Sequence, residues 1–201
     1  MLPDNKRAVL LALTLLAAAC ATVAPPRPEV VEGARRVQSY SARLAVRLNG
    51  PSLRARTQVL LAFRRPDSLR IELPGPGGLR LLAVTRDGAL AAVFPRERAV
   101  FRSTATPADL EALLGVSLSP SEVIDLLVGI PSSRLRRYQA AWGPVVPRKV
   151  ETELPDGARL TVNVEQPEVD AAIAEAAFEE PPHAGYRSVD ADEARRLWSS
   201  R

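Results

Sequence analysis

Side chains that could carry out acid–base or metal chemistry are few and lie far apart in the chain. His183 is the only histidine and sits in a proline-rich loop, whereas metal sites and proton relays usually combine several such groups. The carboxylate pairs Glu179-Glu180 and Glu151/Glu153 fall on turns and strand faces, a placement typical of solvated charges. The chain also contains no G-x-S-x-G, P-loop or H-E-x-x-H motif. We therefore expect no enzymatic activity, no metal site and no cofactor.

A glycine cluster between residues 74 and 78 is the one stretch that could approach a phosphate group. Glycines that cradle a phosphate stand between a strand and the N-terminus of a helix. Here Gly75, Gly77 and Gly78 lie with two prolines between two runs of alternating apolar residues. The cluster therefore predicts a turn between two strands and not a phosphate site.

The single cysteine, Cys20, follows the most specific motif of the sequence. Lys6-Arg7 supplies positive charge, residues 8–16 form an apolar run too short to span a bilayer comfortably, and Ala17-Ala18-Ala19 leads directly to the cysteine. This arrangement resembles a bacterial lipoprotein signal peptide, although alanine stands at position 17 where that family prefers leucine. The resemblance implies cleavage before Cys20, a diacylglyceryl thioether on its sulfur and acylation of its new amine.

Lipidation at Cys20 would attach the protein to a membrane, because each buried methylene of an acyl chain contributes about 0.8 kcal/mol. Ala21, not aspartate, follows the cysteine; by resemblance to the sorting rule of enterobacterial lipoproteins, this implies the periplasmic face of the outer membrane. An ordinary secretory signal with a coincidental cysteine is the alternative. We expect a signal peptide over residues 1–19, the lipidated cysteine and a proline-rich tether over 20–28, and a single domain over 29–201.

Apolar and polar residues alternate with a period of two along much of the domain. In Ser41–Asn49, for example, Leu44 and Val46 fall on one face while Arg43 and Arg47 fall on the other. The pattern predicts an antiparallel sheet with one apolar face and one solvated face. The predicted strands are Ser41–Asn49, Leu53–Arg65, Ser68–Leu73, Leu79–Arg86, Ala89–Phe94, Arg98–Arg102, Leu135–Trp142, Val146–Leu154, Arg159–Glu165 and Tyr186–Val189.

Two capped helices separate the early strands from the later ones. Thr106-Pro107 and Ser119-Pro120-Ser121-Glu122 are helix starts, and Gly115 and Gly129 mark the corresponding ends. The second helix is apolar on more than one face, so it is either a buried core helix or a lid over an apolar cavity. Further helices are predicted at Glu29–Gln38 and from Asp190 onward.

The composition fits one globular domain with an aliphatic interior. Of the 201 residues 46% are hydrophobic, but only 4% are aromatic. The net charge of +4 comes almost entirely from scattered arginines, since Lys6 and Lys149 are the only lysines. No aromatic side chains interleave with the arginines as a stacking platform for bases would require. We therefore expect no nucleic-acid partner.

Several short motifs stand in a characteristic order between about residue 37 and residue 190. They are Arg65-Pro66-Asp67-Ser68-Leu69-Arg70-Ile71-Glu72-Leu73, Pro76-Gly77-Gly78, Leu118-Ser119-Pro120-Ser121-Glu122, Leu126-Leu127-Val128-Gly129-Ile130-Pro131, Phe178, Pro181-Pro182 and Gly185. Together they resemble the LolA/LolB-like family of periplasmic lipoprotein carriers and their lipoprotein relatives. The resemblance implies an α+β fold: a curved antiparallel half-barrel sheet with helices covering its concave apolar face.

The same resemblance implies a cavity that shelters acyl chains of lipoproteins or phospholipid, with a periplasmic carrier of the same family as donor. Burial of apolar chain would supply the binding energy without specific polar contacts. The expected lining is Leu44, Val46, Leu48, Val59, Leu61, Phe63, Leu69, Ile71 and Leu73 on the sheet, with Leu110, Leu113, Leu114, Ile124 and Leu127 as cover. In the outer-membrane member of the family, an exposed leucine of the turn passes lipoproteins into the membrane; this chain has Gly77 there, with Leu79 nearby.

The alternative function is a non-enzymatic envelope scaffold on the same fold, with a filled core and no cavity. Its contact surfaces would be the arginine-rich strand faces and Trp198, which we expect to be exposed. The volume between the sheet and the helices distinguishes the two hypotheses.

Overall fold

The computed structural model describes residues 27–51 and 53–199. The predicted signal peptide, Cys20 and most of the tether lie outside these residues. Within the described ranges the chain forms ten strands, four α-helices and one short 3₁₀-helix.

All of the strands belong to one open sheet. In chain order they are β1 Ser39–Asn49, β2 Arg54–Arg64, β3 Ser68–Gly75, β4 Gly78–Arg86, β5 Ala89–Phe94, β6 Ala99–Thr104, β7 Arg136–Trp142, β8 Pro147–Glu153, β9 Arg159–Val169 and β10 Arg187–Ser188. Their order across the sheet is β10-β6-β5-β4-β3-β2-β1-β9-β8-β7. Neighbours are antiparallel except β10 and β6. The last long strand, β9, therefore returns to pair with the first.

The helices of the described residues are α1 Pro28–Arg35, α2 Pro107–Leu114, α3 Pro120–Val128 and α4 Ala191–Ser199. α1 ends at Arg35 and not at Gln38, the predicted end, whereas α2 and α3 begin and end at the residues that the sequence marks. The Thr106 hydroxyl caps α2, and Ser119 and Glu122 form a reciprocal capping box on α3. Gly115 and Gly129 end these two helices with φ of 73° and 86°, in the left-handed region that favours glycine. The predicted boundaries of both helices are confirmed.

Strand register places one row of apolar side chains after another on the face that the helices cover. Val46 of β1 lies between Thr57 of β2 and Val162 of β9. Two residues earlier along β1, Leu44 lies beside Val59. These side chains pack against those of the helices in one hydrophobic core. An open, mostly antiparallel sheet with helices over its apolar face is the α+β half-barrel that the sequence predicted.

The turn rich in proline and glycine has fewer residues than predicted. The sequence predicted that the strand ends at Leu73, but β3 continues through a register shift to Gly75. Pro74 and Gly75 therefore lie opposite Leu79 and Gly78. Proline is tolerated there because it stands at the last paired positions of the strand. Gly77, with φ of 77°, completes the reversal.

Residues 170–186, which we call the return segment, connect β9 to β10 across the outer face of the sheet, the face opposite the helices. Arg64 of β2 donates to the carbonyl of Ile173, and Arg70 of β3 donates to that of Ala177 across 2.8 Å. Phe178 is only 2% exposed, with the Arg64 guanidinium 5.7 Å from its ring centroid. The outer face thus holds this segment through strand arginines.

The same pattern continues along the return segment. Arg86 of β4 pairs with Glu175 at 2.6 Å, and Arg102 of β6 pairs with Glu180 at 2.7 Å. His183, which we expected to be solvated, is half-buried and contacts Arg102. Glu180 is exposed, as predicted. Several arginines that we expected to form a contact surface for a partner bind the chain's own return segment.

Candidate functional site: an apolar cavity under the helices

A cavity of about 110 Å³ lies between the central strands and the helices. Its floor consists of β1, β2, β3 and β9, and its cover consists of α2, α3, the connection between them and α4. The lining side chains are Leu44, Val46, Leu48, Ala55, Thr57, Val59, Leu61, Ile71, Leu73, Leu110, Leu114, Val116, Val123, Leu126, Leu127, Leu160, Val162 and Trp198. The space therefore lies where the sequence predicted an apolar site.

Ten of the fourteen predicted lining residues border this cavity. They are Leu44, Val46, Leu48, Val59, Leu61, Ile71, Leu73, Leu110, Leu114 and Leu127. The other four, Phe63, Leu69, Leu113 and Ile124, are buried in the adjoining core and do not border the cavity. Phe63 and Leu69 lie opposite each other where β2 ends and β3 begins. The apolar face is filled there, and the cavity lies towards the β1–β2 hairpin.

Sequence reasoning missed the contributions of β9, of the N-terminal half of β2 and of α4. Leu160 and Val162 followed the alternating pattern, but the pairing of their strand with β1 could not be inferred from it. Ala55 and Thr57 also line the cavity, although one is small and the other carries a hydroxyl. The remaining missed residues are Val116, Val123, Leu126 and Trp198.

Trp198 is the clearest correction to the sequence reading. We expected an exposed surface residue, but its side chain is 7% exposed and borders the cavity. Its indole N–H donates to the carbonyl of Leu113 across 2.7 Å. In the preceding turn, Arg195 donates to the carbonyls of Glu111 and Ala112. These bonds join α4 to the C-terminal turn of α2, where the Glu111 carbonyl also accepts from the Gly115 N–H. α4 therefore forms one wall of the cavity.

The cavity wall is almost entirely hydrocarbon. Thr57 supplies the one hydroxyl among the lining side chains, and that hydroxyl donates to the carbonyl of Gln58. Val46 is only half-buried although its strand is flanked on both sides, because its side chain faces this space. Such a site fits an apolar group of a ligand, since no lining charge offers a polar contact.

An ion pair and a hydrogen bond tie one part of the cover to the sheet. Arg65, in the turn after β2, pairs with Asp125 of α3 at 2.8 Å. Its Nε donates to the carbonyl of Val37 across 3.0 Å, just after α1. The position of α3 therefore depends on a polar contact outside the cavity as well as on apolar packing.

Two buried tyrosine hydroxyls lie away from the cavity. Tyr40 stacks on Phe63 with ring centroids 5.2 Å apart, and burial raises its pKa above the ordinary tyrosine value. Burial likewise raises the pKa of Tyr138 to about 12. Both side chains are therefore neutral at physiological pH and add no charge to the core.

Within the described ranges, no group of three His, Cys, Asp or Glu side chains could hold a metal ion. None of the helices there is long and apolar enough to cross a membrane. Gly77 and Gly78 are exposed at the tip of their turn, and Leu79 packs against Leu82 and Val84 on the outer face. The turn therefore presents no exposed leucine.

Comparison with known proteins gives matches at the level of structure only. No family model and no curated protein matches the sequence. Similar solved structures include an uncharacterized conserved protein from Thermus thermophilus, at 10% identity and a TM-score of 0.47, with 80% of this chain and 96% of that chain covered. A LolA superfamily protein from Nitrosomonas europaea has 9% identity and a TM-score of 0.45, with coverages of 78% and 99%. The lipoprotein LppX of Mycobacterium tuberculosis has 10% identity and a TM-score of 0.37, with coverages of 74% and 99%.

One of these structures carries the family name that the sequence motifs resemble. At such identities and TM-scores these likenesses carry no argument about function, which must come from the sequence and geometry of this chain itself.

Proposed function

We propose that this protein is a lipid-anchored lipoprotein of the bacterial envelope that shelters acyl chains in its cavity. The acyl chains belong to lipoproteins or to lipids, and the protein acts in lipoprotein localisation or lipid transport without covalent chemistry. The observation that carries this proposal is the cavity itself: a hydrocarbon-lined space, open to small molecules, in the core of an otherwise close-packed domain. Empty apolar space lowers stability, and an apolar ligand that fills it would recover part of this loss.

The energetics of the site suit an acyl chain. Each methylene that moves from water into the cavity contributes about 0.8 kcal/mol. Because the lining offers no charge and only the Thr57 hydroxyl, chain length rather than headgroup chemistry determines affinity inside the cavity. If this protein binds the acyl chains more tightly than the periplasmic donor does, the chains pass from the donor to it.

The cavity must widen to take a whole acyl chain. Its volume, about 110 Å³, is of the order of an apolar cavity that accommodates one benzene molecule. The cover consists of three helices that meet the sheet mainly through apolar side chains. We expect them to move outward as the chain enters, since new apolar contacts with the ligand replace those lost with the sheet.

The first experiment is mass spectrometry of lipid bound to the chain that starts at Ala21, which carries no acyl group of its own. We expect stoichiometric phospholipid or acylated peptide, and its loss in Leu61→Glu, where a carboxylate points into the cavity. Leu60→Glu is the matched control, because the adjacent side chain is on the outer face and is 38% exposed. A folded, lipid-free protein that also fails to take up added fatty acid would overturn the proposal.

The outer-membrane anchor is a separate part of the proposal and has its own test. It is supported by the cysteine at position 20, the apolar run before it and Ala21 after it. We expect radiolabelled palmitate to enter the full-length protein and to be absent from Cys20→Ala. The label should fractionate with outer membranes. A palmitate-free protein in the soluble envelope fraction would instead indicate an ordinary secretory signal.

An envelope scaffold with a closed core is the second candidate. The small volume of the cavity favours it, because unliganded side chains already approach one another in the middle of the domain. If the protein is such a scaffold, the unaltered domain binds no fatty acid. Leu61→Glu then unfolds the domain, and there is no bound lipid for the variant to lose.

A further inference from the structure

The N-terminal half of β2 is an open edge inside an otherwise continuous sheet. β2 pairs with β1 along its whole length, but its pairing with β3 begins only at Leu60. The backbone bonds Arg65 N–H to Gln38 and Gly50 N–H to Leu53 show that odd-numbered residues of β2 face β1. The even-numbered residues before Leu60 therefore direct their N–H and C=O groups to the side from which β3 has diverged, because β3 continues to Gly75 but pairs there only with β4.

This open edge is also the rim of the cavity. Ala55 and Thr57, on the inner face of the edge, line the cavity and are only half-buried, whereas Val59 and Leu61 farther along the strand are buried. Ile71 of β3, also half-buried, lines the cavity beside its partner Leu61, next to the point where the two strands separate. An apolar chain can therefore reach the cavity around the edge of β2 without crossing the sheet.

Arginines occupy the outer side of the same edge. Arg54 and Arg56 alternate with the cavity-lining residues and are exposed. Arg56 lies directly opposite Arg47 of β1, in a pair that exchanges no backbone hydrogen bonds and so brings the two side chains closest together. Arg159 of β9 is exposed nearby, on the other side of Asn49. Like charges placed opposite each other in this way destabilise a sheet.

No acidic side chain of the described residues neutralises the Arg47 and Arg56 pair. Glu151, the acidic residue among those that line their groove on the outer face, forms an ion pair with Lys149 at 2.8 Å. The groove, about 280 Å³, also contains Thr161. The two arginines contrast with those that bind the return segment, because each of the latter has a carboxylate or a carbonyl as partner.

We propose that Arg47 and Arg56, with Arg54 beside them, bind the phosphate of an anionic glycerophospholipid whose acyl chains pass around the β2 edge into the cavity. Guanidinium groups bind phosphate oxygens through paired hydrogen bonds, and a bound phosphate relieves the repulsion between the two side chains. A diacyl lipid fits because only the width of one strand separates its cationic and apolar sites. The inference rests on the proposed function and names the ligand class for it.

The test compares two short-chain lipids that differ only in their headgroup. Dioctanoyl-phosphatidylglycerol and dioctanoylglycerol are titrated by calorimetry into the chain that starts at Ala21. We expect the anionic lipid to bind about tenfold more tightly or better, because the arginine side chains attract its anionic headgroup. In Arg47→Gln/Arg56→Gln this preference disappears, while the affinity for dioctanoylglycerol stays the same. Removal of two opposed like charges should not unfold the protein, and urea unfolding verifies this.

The matched control is Arg27→Gln/Arg36→Gln, which removes the same charge from exposed positions at the ends of α1. It should keep the preference for the anionic lipid. Equal affinity for both lipids in the unaltered protein, or equal losses in the two double variants, would overturn the phosphate site but leave the acyl-chain function intact. Inorganic phosphate that binds as tightly as the lipid would show a free-anion site and overturn it too. If neither lipid binds the folded protein, the proposed function fails as well.

Discussion

Trp198 of α4 donates its indole N–H to the main-chain carbonyl of Leu113 in α2 across 2.7 Å, and the ring of the same side chain borders the cavity. The bond satisfies a carbonyl near the end of α2 that has no partner within its helix. It also fixes the face that α4 turns towards the cavity. One side chain thus closes a wall of the cavity and joins two helices that are far apart in sequence.

Trp198→Phe should lower the free energy of unfolding by about 1–3 kcal/mol, because it leaves the buried carbonyl of Leu113 without a donor. Urea unfolding of the variant and the unaltered protein measures the difference. Ser199→Ala is the control, since the Ser199 hydroxyl is exposed and donates within its own helix to the carbonyl of Arg195. Equal stability of Trp198→Phe and the unaltered protein would show that the bond contributes nothing to holding α4.

The parts of the site that could be predicted are those that depend on local pattern. Alternation along a strand is a property of neighbouring residues, so Leu44, Val46 and Leu48 could be assigned to the inner face without knowledge of the partner strands. The caps of α2 and α3 are equally local. Both were predicted from the sequence and confirmed by the structure.

The parts that could not be predicted depend on contacts between distant segments. Trp198 meets Leu113 across 85 positions of sequence, and no periodicity within the last helix reveals which surface it covers. Val162 enters the cavity because its strand, β9, pairs with β1. The alternation of apolar and polar residues along β9 would be the same beside any other strand, so it does not reveal this pairing. The scaffold hypothesis assigned the arginine-rich strand faces to partners, whereas Arg64 and Arg70 bind carbonyls more than 100 positions away in the same chain.

Val46→Phe should fill the cavity and weaken binding of dodecanoic acid about tenfold or more, which corresponds to the loss of roughly two buried methylenes. The free energy of unfolding should change by less than about 1.5 kcal/mol, because the ring occupies space that is already empty. Isothermal titration calorimetry measures binding. Leu60→Phe adds comparable bulk on the outer face and should bind normally. An unchanged dissociation constant for Val46→Phe would place the acyl chain elsewhere.

Asp125→Asn should loosen α3 by removing the charge that faces Arg65 across 2.8 Å. Both side chains are half-buried, so we expect a loss of about 1 kcal/mol in the free energy of unfolding at low salt. Salt screens the pair, and therefore the gap between the variant and the unaltered protein should narrow as sodium chloride is added. Urea unfolding at low and high salt measures this. A gap that does not depend on salt would mean that the loss comes from packing and not from the ion pair.

Glu122 should make stability depend on pH in the acid range. Burial alone raises its pKa, but hydrogen bonds from the Ser119 backbone, Ser132 and the Ser119 hydroxyl, with the charge of Arg134, outweigh burial and hold the pKa below the ordinary value. Because the folded pKa is the lower one, the stabilisation is complete above the unfolded value of about 4.3 and is lost as the pH falls through the folded value.

Glu122→Gln should therefore cost about 1 kcal/mol of unfolding free energy at neutral pH, the usual contribution of a helix cap. The deficit should shrink as the pH falls below about 4, where the unaltered protein loses the same interaction. Urea unfolding across the acid range follows it. Glu165→Gln, at an exposed position of β9, should show no deficit at any pH. A constant deficit for Glu122→Gln would exclude the ionised carboxylate as its cause.

Phe178→Ala should release the return segment from the outer face. The ring is 2% exposed and is the largest apolar side chain of the segment, so its removal should lower the free energy of unfolding by about 3–5 kcal/mol. Leu82 and Val84, buried on that face, should then bind the dye ANS, while dodecanoic acid still binds because the cavity lies on the opposite face. Glu179→Ala, at the exposed neighbouring position, should change neither property. Loss of fatty-acid binding in folded Phe178→Ala would instead show that the two faces of the sheet are coupled, and the return segment would then control the cavity.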